Sequence, residues 1–161
     1  MNTRHHVNGI GFDARQAAHE DIDQWRPSDM PTGVLWIVIP YTTPELTKAA
    51  LRHAAVCSDL DVHVCLVDVQ VVPFPCALNQ PPVDRKFSEC RLNDLLKEGG
   101  LPGKGAVVYT RDWLEGFRKI LEPGSLVMIA SKKRLWRTRE EKLARTLMKA
   151  GHDVMFLPVV R

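Results

Sequence analysis

The sequence has no apolar run long enough to cross a membrane. A membrane-spanning helix needs about 20 consecutive apolar residues, and no stretch of these 161 residues approaches that length. The N-terminal segment MNTRHHVNGIGFDARQ also lacks the apolar centre of a signal peptide. We therefore expect a cytoplasmic protein that does not associate with membranes.

The sequence also lacks the C-x-x-C spacing of many redox and zinc sites. Its four cysteines are Cys57, Cys65, Cys76 and Cys90. In a reducing cytoplasm they are expected to be free thiols. The pairs His53 with Cys57 and His63 with Cys65 have spacings that would permit a metal site. All four residues fall on faces predicted to be buried, so we interpret them as core side chains and expect no metal.

No catalytic constellation stands out in the sequence. We find no pattern that assembles a Ser-His-Asp triad, a Cys-His pair or paired carboxylates, and we expect no catalytic residues. GGLPGKG (99–105) contains the Gly-Lys pair of a phosphate loop. However, Gly105 stands where Ser or Thr should hold magnesium, and the segment leads from a helix into a strand, the reverse of a phosphate loop. We interpret it as a helix cap and turn.

Basic residues are present in excess, and they are concentrated in one segment. The net charge of +3 is too small to indicate nucleic-acid binding by itself. Between Lys132 and Lys149, eight Lys or Arg accompany only Glu140 and Glu141. Without this segment, the 22 basic and 19 acidic residues become 14 and 17. Nucleic-acid binding through 132–149 remains a third, less favoured hypothesis.

From Gly33 onward, short apolar runs alternate with helical periodicity. This alternation is typical of a parallel sheet covered on both faces. The predicted strands are VLWIVI (34–39), VHVCLVDV (62–69), GAVVY (105–109), SLVMIA (125–130) and DVMFLPVV (153–160). Between them, Thr43, Asp112 and Thr138 are predicted helix N-caps. The proline-rich 70–83 is predicted as a long loop, followed by a helix that ends at Gly99.

The first 32 residues do not follow this alternation. They carry one weak helical stripe and then the turn-rich RPSDMPTG. The stripe consists of Ala14, Ala17, Ala18, Ile22 and Trp25. We predict an N-terminal arm over 1–32 and an α/β domain over 33–161.

The element order over 33–161 resembles the universal stress protein (UspA-like) family. The likeness is carried by VLWIVIP in the first strand, by the Ala-rich KAALRHAAVC, by the long second crossover and by the closing GHDVMFLPVV. The resemblance implies a Rossmann-like, adenine nucleotide alpha hydrolase-like fold. That fold has an open five-stranded parallel sheet, in the order 3-2-1-4-5, with helices on both faces.

Two features of the nucleotide-binding members of that family are missing here. Those members have an Asp just after the first strand, where this chain has Pro40 to Thr43. They also have a glycine-rich loop after the fourth strand, whereas Ala130 to Thr138 contains no glycine. Glycine lets the backbone approach a phosphate closely and present N–H groups to it. The resemblance therefore implies an atypical member with no cofactor and with poor binding of ATP.

The family's strand order locates a candidate ligand site between the first and fourth strands. Ligands of open parallel sheets bind beyond the carboxyl ends of the strands, where the strand order reverses. The candidate ligand-binding residues are Tyr41, Thr42, Thr43, Asp68, Ser131, Lys132, Lys133, Arg134 and Arg137. Cations beside a helix N-terminus attract a phosphate or carboxylate. Two alternatives remain open: 132–137 as a solvated loop, and Asp68 as a structural hydrogen-bond acceptor for the long loop.

These observations support two hypotheses of function. The first is a non-catalytic universal stress protein-like module that binds an anionic small molecule or nucleotide weakly, or acts as a dimeric stress-response or interaction protein. The alternative is an enzyme of the nucleotide-binding α/β group that holds substrate phosphate with the basic loop 132–137. We also expect a homodimer through 153–160, because an apolar edge strand needs a partner and identical edges can pair about a two-fold axis.

Overall fold

The computed structural model describes residues 33–57, 60–132 and 138–159. The predicted arm over 1–32 lies outside these ranges, and so do the candidate site residues Lys133, Arg134 and Arg137. Across the described ranges, no helix combines the length and the apolar character that a bilayer span requires.

The described residues form one five-stranded parallel sheet. Its strands are β1 (Leu35–Pro40), β2 (Val62–Val71), β3 (Gly103–Thr110), β4 (Leu126–Lys132) and β5 (Asp153–Val159). The strand order is β3-β2-β1-β4-β5, and every neighbouring pair is parallel. The predicted α/β fold and strand order are confirmed. β4 is longer than predicted, because Ser131 and Lys132 still pair with Pro158 and Val159.

Four helices connect the strands. They are α1 (Pro44–Val56), α2 (Arg85–Gly99), α3 (Trp113–Ile120) and α4 (Arg139–Lys149). The three predicted N-caps are confirmed: Thr43 accepts from the Leu46 amide, while Asp112 and Thr138 cap α3 and α4 in the same way. Each cap satisfies one of the amides that a helix start leaves unpaired, and is worth about 1 kcal/mol.

The GGLPGKG segment forms the predicted helix cap and turn. α2 ends at Gly99 as predicted, and the following Gly100 takes the left-handed conformation, with φ of 65°, that caps the helix. β3 then begins at Gly103, beside Val64. A side-chain carbon at Gly103 would collide with the carbonyl oxygen of Val64. A glycine is therefore required where the chain enters the sheet.

Each face of the sheet is covered by two helices. Ile37 and Ile39 of β1 belong to the cluster that includes α1 and α2, whereas Val38 and Trp36 pack with α3 and α4. Successive side chains of a strand point to opposite faces. Burial on both faces therefore explains why the strand sequences are almost continuously apolar.

Two positions predicted to be buried are exposed. His53 of α1 lies in solvent, because the buried face of that helix runs through Leu46, Ala50 and Ala54. Met148 continues the apolar stripe of α4, yet about half of its surface is exposed. In both cases the apolar stripe is narrower than the sequence pattern indicates.

Candidate functional site

The carboxyl ends of β1 and β4 separate at the predicted crevice. The recorded pairing between these two strands joins Ile37 to Leu126 and Val38 to Val127. Beyond that level β1 continues beside β2, and β4 continues beside β5. The reversal of strand order that the family resemblance implies therefore lies here, where open α/β sheets bind their ligands.

One wall of the crevice is the turn from β1 into α1. Tyr41, Thr42 and Thr43 are all half-buried in this turn. The Tyr41 amide donates to the carbonyl of Val67 at 2.7 Å, which continues the pairing of β1 with β2. Thr43 then caps α1. The turn thus holds the N-terminus of α1, the positive end of its dipole, at the crevice.

The opposite wall is the end of β4. Ser131 is buried, and its Oγ lies 3.0 Å from Oγ1 of Thr138, the N-cap of α4. The Nζ of Lys132 lies 3.8 Å from Oε2 of Glu45 in the first turn of α1. Their side chains are 39% and 74% exposed, so this long contact contributes little stability. Lys132 thus reaches across the crevice toward α1.

Ser131 and Lys132 of β4 point to opposite faces of the sheet. Ala130 belongs to the cluster on the α1 and α2 face, and Ile129 belongs to the opposite cluster. Lys132 therefore points to the face of α1 and Ser131 to the face of α4, as their contacts confirm. A ligand beside the N-terminus of α1 would meet the ammonium group of Lys132 rather than the hydroxyl of Ser131.

Asp68 is brought near Tyr41, but it is engaged in the protein's own contacts. Its buried carboxylate accepts from the Arg91 guanidinium at 2.8 Å and from Nε2 of Gln70 at 2.7 Å. The guanidinium also lies 4.4 Å from the centre of the Tyr41 ring. The carboxylate of Asp68 thus accepts structural hydrogen bonds, one from Arg91 of α2 and one from Gln70. Gln70 was predicted to begin the long loop, but it lies in β2.

Comparisons with known proteins identify the fold. No protein-family model matches the sequence, and no curated protein does. Solved structures do match, and one is the universal stress protein from Archaeoglobus fulgidus. It has a TM-score of 0.54 and 12% identity over 81% of this chain and 98% of that one. A universal stress protein family member from Burkholderia pseudomallei has a TM-score of 0.52 and 16% identity over 80% and 99%.

A third structure carries a ligand. It is the universal stress protein from Archaeoglobus fulgidus in complex with dAMP, with a TM-score of 0.50 and 14% identity over 76% of this chain and 96% of that one. This chain has the universal stress protein fold. The fold accounts for the strand order and for the crevice between β1 and β4, while the ligand is a property of that structure.

Within this universal stress protein fold, sequence reasoning missed Arg91. It lies in the middle of α2, where an arginine is usually a solvated residue. The spacing between Asp68 and Arg91 in the sequence also matches no known motif. The one available signal was Asp68 itself, because a carboxylate in a buried strand must be paired. That signal predicts a cation without indicating which one.

The long loop between β2 and α2 is held against β3, away from the crevice. The Arg111 guanidinium donates to the carbonyls of Val72 at 2.7 Å and Cys76 at 2.8 Å, and lies 4.0 Å from the centre of the Phe74 ring. At the other end of the loop, the Tyr109 hydroxyl donates to the carbonyl of Val83 at 3.3 Å. Burial raises the pKa of Tyr109 above its ordinary value of 10.0, and nearby Arg85 opposes this effect.

The histidines and cysteines that have metal-like spacings are dispersed. His53 is exposed, Cys57 is half-buried and Cys65 is buried. The ring of His63 packs edge-on against Trp36 at 5.0 Å. Among the described residues, no three His, Cys, Asp or Glu side chains come together in a group that could hold a metal ion.

Proposed function

We propose that this chain is a non-catalytic universal stress protein-like module that binds the anionic group of a small molecule in the crevice between β1 and β4. The observation that supports this proposal is the position of Lys132. Its ammonium group points to the N-terminus of α1, and its ion-pair contact with a described residue is the long one of 3.8 Å to the exposed Glu45. A cation and a helix N-terminus together attract a phosphate or carboxylate.

We expect this binding to be weak. No glycine follows β4 before Thr138, so the backbone there lacks the close approach to phosphate that a glycine loop provides. Glu45 also competes with any anion for Lys132. A ligand with a single phosphate or carboxylate group therefore suits the crevice better than ATP with magnesium.

A melting experiment with dAMP tests the proposal, since a structure with this fold is in complex with that nucleotide. A ligand at about 100 times its dissociation constant stabilises the native state by roughly 2.7 kcal/mol, which raises the melting temperature measurably. We expect millimolar dAMP to raise the melting temperature, and Lys132→Gln to abolish the shift. Lys142→Gln, a matched change of an exposed lysine on α4, should retain it.

Three results would contradict the proposal. One is the absence of any shift with dAMP or inorganic phosphate. The second is a shift that both lysine variants retain. The third is a shift that any polyanion produces and that salt removes, which would indicate a general charged patch.

We further propose that the module is a homodimer joined through β5. In the described sheet, β5 pairs with β4 on one side, so its other side presents unpaired backbone groups. Met155 of this strand is 37% exposed. Because a two-fold axis brings identical residues together, Met155→Lys should introduce like charges at the interface and shift the protein toward monomer in sedimentation. Met148→Lys on α4 should leave the mass unchanged.

A further inference from the structure

The two ion pairs that the structure describes at the crevice each combine one cation with one anion. Lys132 faces Glu45 across the crevice, with 3.8 Å between the ammonium nitrogen and a carboxylate oxygen. Arg91 and Asp68 form the second pair at 2.8 Å. The formal charges of these four side chains sum to zero. An incoming anion therefore meets a balanced site rather than a cluster of free cations.

The N-terminus of α1 supplies the positive potential that remains. A helix dipole places roughly half a positive charge at this end. Few of its amides are free, because Pro44 has no N–H group and the Leu46 amide donates to the Thr43 hydroxyl at 3.3 Å. Among the described residues, the Glu45 amide has no hydrogen-bond partner. The first turn of α1 thus offers one free donor to an anionic oxygen.

The residue that carries this free donor also carries a negative charge. Glu45 is the acidic residue in the first turn of α1, where a carboxylate offsets part of the helix dipole. Its side chain is 74% exposed, so the carboxylate lies in solvent at the entrance of the crevice. Like charges repel each other, so each further negative charge on a bound ligand raises the free energy of the complex.

On the basis of the proposed function, we propose that the crevice selects ligands whose anionic group carries a single negative charge, and that Glu45 is the specificity-determining residue. One anionic oxygen contacts Lys132 and the Glu45 amide, while the Glu45 carboxylate disfavours a second charge. Phosphodiesters and carboxylates carry one negative charge. A phosphate monoester carries about −1.5 to −2 at pH 7. The class of ligand that suits the site is therefore a phosphodiester or a carboxylate.

Two ligands that differ in charge test this selection in the full chain. One is dAMP, a phosphate monoester, and the other is its methyl ester, a phosphodiester with the same base and sugar. Calorimetric titration near neutral pH gives both dissociation constants. We expect the wild type to bind the methyl ester more tightly, by up to about fivefold, the ratio that an interaction between two exposed charges can produce.

Glu45→Gln separates the effect of charge from any contact that the methyl group makes. This variant keeps the backbone amide and nearly the same shape, but it removes the negative charge. We expect it to bind dAMP up to about fivefold more tightly than the wild type does, with a smaller change for the methyl ester. The matched control is Glu122→Gln, which neutralises an exposed acid between α3 and β4. It should leave both dissociation constants unchanged.

Two kinds of negative result are distinguishable. If neither ligand binds, or if Lys132→Gln binds both as the wild type does, binding of an anion in the crevice is wrong and the charge selection falls with it. If both ligands bind through Lys132 but the wild type does not prefer the methyl ester, only the charge selection is wrong. The same holds if Glu45→Gln leaves the ratio of the two dissociation constants unchanged.

Discussion

The two walls of the carboxyl edge use their charged residues in opposite ways. Beside β1 and β2, Asp68 is paired with Arg91 at 2.8 Å, and the guanidinium also covers Tyr41. Beside β4, the ion-pair contact that Lys132 makes within the described part of the chain is a long one, 3.8 Å to the exposed carboxylate of Glu45. The first wall is thus held together by its own charges, whereas the second keeps a cation available. Proximity to a crevice therefore does not by itself identify a ligand-binding residue.

The largest effect is expected at Asp68. Asp68→Ala removes the carboxylate acceptor of Arg91 and leaves a partly buried guanidinium without its partner. We expect a loss of about 2 kcal/mol in the free energy of unfolding, less than for a fully buried ion pair because Arg91 is partly exposed. Urea unfolding measures this change. The matched control is Asp94→Ala, which removes an exposed acid from α2, the helix that carries Arg91. An equal loss of stability in both variants would mean that the contact between Asp68 and Arg91 adds no more than an exposed carboxylate does.

The next effect concerns the cation–π contact of Tyr41. Tyr41→Leu should reduce the free energy of unfolding by about 1 kcal/mol, because it removes the ring beneath the Arg91 guanidinium. Tyr41→Phe retains the ring and should be close to neutral. A larger loss in Tyr41→Phe than in Tyr41→Leu would show that the hydroxyl, not the ring, is the important group.

At Lys132 the expected effect on stability is small. The contact with Glu45 is long and exposed, so Lys132→Gln should change the free energy of unfolding by less than about 0.5 kcal/mol. Lys142→Gln should behave alike under the same urea protocol. If Lys132→Gln lowered the free energy of unfolding as much as Asp68→Ala does, Lys132 would be as firmly engaged as Asp68, and the contrast between the two walls would be wrong.

The smallest effect is a pH dependence at Tyr109. Its pKa is raised in the folded protein, mainly by burial. The contribution of this phenol to stability is therefore fully present below its unfolded pKa of about 10 and is lost as pH rises through the folded value. In unfolding curves measured across the alkaline range, Tyr109→Phe should be less sensitive to pH than the wild type. Parallel curves for the two proteins would contradict this assignment.

The helices and strands were accessible from the sequence because their signals are local, whereas the strand order was expected only from the family resemblance. Near-continuous apolar strands indicate burial on both faces, and Thr43, Asp112 and Thr138 mark helix starts through hydrogen bonds made within one turn. The boundaries shifted where pairing extended a strand, as at Ser131 and Lys132. The pairing of Asp68 with Arg91 could not be predicted, because 23 residues separate them and only the packed fold brings α2 over β2.

Backbone-amide NMR during a dAMP titration tests the central claim most directly, since it reports on both walls in one experiment. We predict chemical-shift changes concentrated at the amides of Thr42, Thr43 and Glu45 and of Ser131 and Lys132, with little change at Asp68 and Arg91. The same titration of Lys132→Gln should lose those changes. Chemical-shift changes centred on Asp68 and Arg91, or no changes at either wall, would contradict the assignment of Lys132 as the cation that binds the ligand.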